Sequence, residues 1–273
     1  MKTIPRRTIL TTLSAIATRR AFAQSTPLVD HPAGQYKFLP AIPAYSSGVV
    51  AREGYEIVHA TFLHPPAMKA GFQAIAEHLS SRKLKKAALC AVELRLPRPL
   101  SLEDFGAFNA GYIDTLKSWG IVLARGVNPV ARTNVAPVAA PPPEPAFHGF
   151  AYVTKSAVLQ KTFVVAGSGE IGDLGKYPGD LIRRGDTSPA GIAEKTRYVM
   201  GVMETRLRAL GVAWPDVTTI DIYTAQELSK ALVEEILKRS GHNTLTWNYT
   251  RPPITDIEVE LDLRGVRSDI VLA

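Results

Sequence analysis

Eight residues near the end of the chain, Asp256 to Leu263, alternate strictly between carboxylates and apolar side chains. Ile257, Val259, Leu261 and Leu263 fall on one side; Asp256, Glu258, Glu260 and Asp262 fall on the other. A period of two over this length is a strand with one buried face. The acidic face has two readings. A solvated face carries carboxylates at no cost, whereas one facing a cleft, with Glu258 as the preferred candidate, is a proton-transfer group. Ser168 and Glu170 lie in the glycine-rich stretch Gly167 to Gly185, whose backbone amides suit an anion; the polarity of a flexible loop explains them equally. The six histidines have no metal-ligand spacing, so no metal is expected. No nucleophile elbow, Walker loop or dinucleotide fingerprint is present, because GSGEIG lacks the strand–turn–helix context. The one cysteine, Cys90 in AALCAVEL, reads as a packed thiol.

The 273 residues, 46% hydrophobic and 21% charged, suffice for one large domain or two small ones. No apolar run approaches a membrane span. The formal charge of +7 is concentrated at the start: without Lys2, Arg6, Arg7, Arg19 and Arg20 it falls to +2. A nucleic-acid partner is therefore not expected. Residues 1–23 read as an export signal: a basic n-region, the apolar core ILTTLSAIA, and Ala21-Phe22-Ala23 as an A-x-A cleavage site. Arg6-Arg7 followed by Ile9-Leu10 resembles a twin-arginine signal, which implies a periplasmic or secreted protein. An ordinary basic N-terminus is the alternative.

Residues 24–37 form a polar lead-in. Strands are predicted over Phe38 to Val50 and Tyr55 to Phe62, then a helix whose stripe is Met68, Phe72, Ile75 and Leu79. A strand over Ala87 to Leu96 leads to a helix capped by Ser101, with Asp104 three positions on. Strands follow over Ala131 to Val138 and Ala146 to Val153. The pattern then restarts: strands over Tyr152 to Gln160 and Thr162 to Gly167, a helix from Ser188-Pro189 to Gly211, a strand over Val217 to Tyr223, a helix over Ala225 to Arg239, and two final strands. This order predicts an internal duplication, with units at 38–150 and 151–273 sharing or crowding the strand between them.

Several segments resemble the YjgF-like (RidA) family of reactive-intermediate, enamine/imine deaminases. FVVAGSGEIGD at 163–173 resembles the family's strand and turn, and EKTRYVMGVMETRLRALGVAWPDVTTIDIY at 194–223 resembles its helix and following strand. AIPAYSSGV, EDFGAFNAGY and NPVARTNVAPV resemble the matching segments in the first half. The resemblance implies an α+β fold of two tandem sheet-plus-two-helix domains, also called chorismate-mutase-like, and homo-oligomers with pseudo-threefold packing. It implies no cofactor, an arginine that holds a substrate carboxylate, and a glutamate that activates water. The arginine falls on Arg132; its counterpart in the second half is Asn243. The glutamate falls on Glu258; its counterpart in the first half is Phe147. Tyr45 and Asn109 match the family's tyrosine and asparagine near the ligand. Neither half holds a complete site, which predicts a composite cleft where Arg132 and Glu258 converge.

The expected activity is hydrolysis of a carboxylate-bearing imine or enamine to a keto compound and ammonia. A non-catalytic carboxylate-binding protein is the alternative, and a chorismatase-like enzyme a lesser one. The export reading carries its own test: protein recovered from its native host should begin at Gln24, and Arg6→Lys with Arg7→Lys should keep Met1 in the cytosolic fraction.

Overall fold

The outer layer forms where caps and apolar stripes coincide. In the computed structural model, which describes residues 27–241 and 245–273, Ser101 accepts a hydrogen bond from the Asp104 amide at the start of helix α2 (Leu102–Ser118). Phe105, Tyr112 and Leu116 then face inward. Ser188 likewise caps helix α3 (Pro189–Leu210), and Gly211, at φ +72°, ends it in the left-handed conformation that glycine adopts freely. Helices α1 (Met68–Ser81) and α4 (Lys230–Ser240) complete the described set. The expected export signal and Asn243 lie outside the described residues.

Strands β4 (Tyr55–Phe62), β5 (Leu89–Arg95), β6 (Ala131–Pro137) and β7 (Ala146–Lys155) belong with α1 and α2. Strands β8 (Phe163–Gly169), β9 (Thr219–Thr224), β10 (Leu245–Arg251) and β11 (Val259–Gly265) belong with α3 and α4. Three short strands, β1 (Val29–His31), β2 (Tyr36–Leu39) and β3 (Gly48–Ala51), precede them, and β12 (Ser268–Leu272) follows. All join one mixed sheet in the order β1-β2-β3-β8-β11-β9-β10-β6-β5-β7-β4-β12. The fold is α+β. Its two blocks meet at β10 and β6, where Thr250 pairs with Pro137 and Arg251 with Ala136.

Outward from that joint the blocks run β10-β9-β11-β8-β3 and β6-β5-β7-β4-β12. The fifth place is filled from far away in sequence. β3, near the start of the chain, lies against β8, and β12, at its end, runs parallel to β4. A division of the chain at 150/151 therefore does not follow the pairing of strands. Two element expectations change as well. Phe38 to Val50 is not one strand but β2 and β3 around a turn bridged at Ile42 and Tyr45. Tyr152 to Gln160 starts no new strand: β7 ends at Lys155 and pairs with β4 and β5. Alternation reports a strand's faces, not its partner or its end.

The helix-bearing faces bury two apolar cores, and the opposite faces of the blocks close on a third containing Tyr36, Phe38, Ile57, Cys90, Ala131 and Ala166. The acidic face of β11 enters this interior. Glu260 and Asp262 are 5% and 3% exposed, so the solvated-face reading fails for both. His59 bonds Glu93 Oε1 and Asp269 Oδ1, each at 2.8 Å. Burial pulls the His59 pKa down, but these carboxylates outweigh it and hold it at about 9. Arg264 pairs with Asp221 and lies 3.8 Å from Glu93 in the other block.

Gly265, at the end of β11, tests how tightly this layer is packed. An added Cβ would meet the Phe163 ring and the Asp216 carbonyl oxygen. Gly265→Ala should lower unfolding free energy by about 1–3 kcal/mol in urea titrations.

Candidate functional site

Arg132 is carried on β6 and is only 3% exposed. A buried guanidinium needs compensation, and the fold supplies it mainly through rings. Its Cζ lies 4.9 Å from the ring centroids of both Tyr45 and Tyr112, 5.5 Å from that of Phe105 and 5.8 Å from that of Phe108. Nη2 donates to Asn109 Oδ1 at 2.7 Å, while Nη1 has no hydrogen-bond partner among the described residues. Three of these rings and Asn109 come from α2, whose Ser101 cap fixes where the helix starts. Tyr45 comes from the turn before β3, anchored where Ser46 donates to the Pro129 carbonyl.

The carboxyl that shares this environment is Glu260. Its neighbours include Arg206 and Arg132, and both cations also act on Tyr45. Burial pushes its pKa up to about 8; Asp262 adds to the rise, and the two arginines oppose it. The carboxyl lies directly over Gly167, where an added Cβ would collide with Oε1. Thr133, next to Arg132 in sequence, accepts from the Gly167 amide at 3.0 Å and so ties the two blocks together beside the site. Arg206, from α3, donates to the Ala166 carbonyl at 2.8 Å and to Ser168 Oγ at 3.3 Å.

The expected residues thus separate. Arg132, Tyr45 and Asn109 are together, and Ser168 joins them through Arg206. Glu258 accepts from Gln226 Nε2 at 2.9 Å, and the carboxyl whose charge acts on Arg132 is Glu260, two residues further on. Asp256 has φ +69° and regular pairing begins only at Val259, so the strand starts later than its alternation suggests. Glu170 is not placed to meet a ligand. It is fully buried, bonds Lys195 Nζ at 3.0 Å and accepts from the amides of Glu258 and Val259 at 2.7 and 3.0 Å. It pins the entry to β11. Glu260, Arg206 and Asn134 were not among the expected residues. Asn134, on the same strand face as Arg132, is 3% exposed and neither amide atom has a partner.

The group is covered by Phe105, Leu181, Ile254 and Ile257, with Tyr45, Ile171 and Tyr177 packed against them. Tyr177 bonds the Thr255 carbonyl at 2.9 Å and Arg184 pairs with Asp256, so the glycine-rich stretch and the lead into β11 form this cover together. Chemically, the arrangement offers an unpaired guanidinium nitrogen and a carboxyl that titrates near neutral pH. Such a pair can hold an anion and move a proton.

Comparison with known proteins bears on this geometry. Residues 28–270 match the model of the family described as 2-aminomuconate deaminase CnbZ. The 2-amino-5-chloromuconate deaminase of Comamonas testosteroni is 38% identical over 243 residues, spanning 88% of this chain and 96% of that protein. Among solved structures, a chorismatase aligns with a TM-score of 0.49 at 12% identity, covering 81% of this chain and 77% of that one. The YjgF gene product of E. coli aligns with a TM-score of 0.28 at 16% identity, covering 39% and 80%.

Glu260 should also be visible in stability. Its folded pKa of about 8 exceeds the ordinary value of 4.5, so the folded state keeps a proton that the unfolded chain has released. The stability that Glu260 contributes is therefore greatest below about pH 4.5, declines as pH rises to about 8 and then levels. Glu260→Gln should remove this part of the decline, gaining on the order of a few kcal/mol relative to wild type between pH 5 and pH 9. Urea titrations at both pH values check it. Asp262, raised to about 7 by burial and by Asp221, should leave a residual slope.

Proposed function

Since the chain belongs to the 2-aminomuconate deaminase CnbZ family, a group of RidA-like deaminases, we propose that it hydrolyses the amino group from an aminomuconate-type dicarboxylate. The observation that carries this reading is Arg132, with Nη1 unpaired among the described residues, acting electrostatically on Glu260, whose pKa burial pushes up to about 8. Arg132 holds the carboxylate beside the nitrogen-bearing carbon. Arg206 supplies a second cation for the far carboxylate. Tyr45 and Asn109 fix the Arg132 guanidinium, and Ser168 fixes that of Arg206.

An aminomuconate is an enamine, with its nitrogen on a carbon–carbon double bond. Glu260, protonated at neutral pH, gives its proton to the enamine carbon and leaves an iminium ion. The glutamate anion then takes a proton from water as the water oxygen bonds to the iminium carbon. Glu260 returns that proton to nitrogen, the C–N bond breaks, ammonia leaves, and the hydroxyl proton goes back to the glutamate as the carbonyl forms. One water enters, one ammonia leaves, and Glu260 ends as it began. Two fused units and export belong to the same proposal. The repeated order of strands supports the first, and the n-region, apolar core and A-x-A site support the second.

Ammonia release from 2-aminomuconate generated in situ tests the reading. Glu260→Gln should lower kcat by about a hundredfold or more with KM little changed, because only proton transfer is lost. Arg132→Gln should act chiefly by raising KM. A wild-type protein that releases no ammonia, or a Glu260→Gln variant at full rate, would refute it.

A further inference from the structure

Asn134 has no role in the folded chain that its contacts reveal. It sits in β6, where the parallel pairing with β5 runs without a shift from Ala131 to Val135. Arg132 and Asn134 are therefore two residues apart on one strand face. Asn134 is 3% exposed, and among the described residues neither Oδ1 nor Nδ2 has a hydrogen-bond partner; Arg132 Nη1, on the same face, lacks one too. A buried polar atom left without a partner costs about 1–3 kcal/mol, and here one side chain contributes two. A fold that keeps such a group on the face of an unpaired guanidinium is built for something that fills both.

We propose that Asn134 recognises the amino-carboxylate head of the substrate, its Nδ2 donating to the carboxylate that Arg132 holds and its Oδ1 accepting from the neighbouring N–H. The chemistry matches on both sides. A carboxamide presents one donor and one acceptor about a single carbon. An α-amino or α-imino carboxylate presents the complementary pair, an oxygen that accepts and a nitrogen that donates. The keto product keeps the carboxylate but has an acceptor where the nitrogen was, so it leaves Oδ1 unpaired against another oxygen. Asn134 thus favours the nitrogen-bearing reactant over the product. The identity of the ligand rests on the deaminase reading; the recognition of a carboxylate with an adjacent N–H does not need turnover.

The probes are pyrrole-2-carboxylate, with an N–H beside its carboxylate, and furan-2-carboxylate, which has a ring oxygen there. Calorimetry with the full-length protein at neutral pH should show the wild type binding the pyrrole at least tenfold more tightly, because a site made for an N–H rejects the analogue lacking it. Asn134→Leu should bring the ratio close to one. Its ligand-free Tm should equal or exceed that of wild type, since two orphaned polar atoms are replaced by apolar ones of similar size. A structural role would lower the Tm instead. Asn134→Ala, smaller and free of any clash, provides the same ratio if the leucine variant does not fold. A wild type without preference, a preference that survives either substitution, or a folded leucine variant with a Tm below that of wild type overturns the assignment. Ammonia release without a pyrrole preference would leave the deaminase standing and remove Asn134; the preference without ammonia release would do the reverse.

Discussion

The charged face of β11 is shut between the two blocks of the sheet, and most of the architecture follows from having to neutralise it there. Glu260, Asp262 and Arg264 leave water together, so each charge must find a counter-charge or change its protonation state. Arg264 meets Asp221 in its own block and Glu93 in the other, and Asp269 at 3.7 Å on β12. His59 is held between Glu93 and Asp269, and Tyr223 donates to Asp262 at 3.0 Å. Of these, Arg264 with Glu93 and Arg264 with Asp269 cross from block to block, and they fix how the two inner faces register. A slip of one residue would turn the ionic groups into the helix-side cores and leave each of them alone. The register that satisfies the ions is also the one that lays Glu260 over Gly167 and within the field of Arg132.

Carboxyls buried in the same interior meet opposite fates, and their surroundings decide which. Glu93 faces His59, Arg264 and His148; burial works against its charge, but the cations win and hold it well below the usual carboxylate range. Glu260 is just as deeply buried, yet it shares its arginines with Tyr45 and has Asp262 nearby, so burial wins and the proton stays. Glu170 lies between the two: burial raises its pKa, and Lys195 on one side with two amides on the other opposes the rise. The structural ions find counter-charges within the protein, although Arg264 keeps one guanidinium nitrogen, Nε, without a hydrogen bond among the described residues. At Arg132 and Asn134, Nη1 and both amide atoms go without one.

Much of this was legible in the chain. The serine caps of α2 and α3 and their apolar stripes are where the residues place them, and the resemblance brought Arg132, Tyr45 and Asn109 to one place. The choice between Glu258 and Glu260 was not legible, because a period of two gives both residues the same face. What separates them is the late start of β11, set by the left-handed Asp256 and by Glu170 gripping the amides before it. Arg206 and Asn134 gave no signal of their own, since an arginine on a helix and a polar residue in TNV are ordinary until another element packs on them. The only hint for Asn134 was its two-residue distance from Arg132. Strand partnership was the largest omission: nothing in Gly48–Ala51 or Ser268–Leu272 names β8 or β4 as its neighbour.

That partnership bears on how the chain is made. A protein synthesised from its N-terminus can fold each unit as it emerges only if the unit's strands are contiguous. Here the first block waits for β12, the last strand of the chain, whose Ile270 and Leu272 pack on its core. The second block needs β3, which was made before any of its other strands. Order of birth and order of assembly therefore cannot coincide, and loops spanning much of the chain must close before either block is complete. The two ends of the chain act as late fasteners, each locking a half built from residues far from itself.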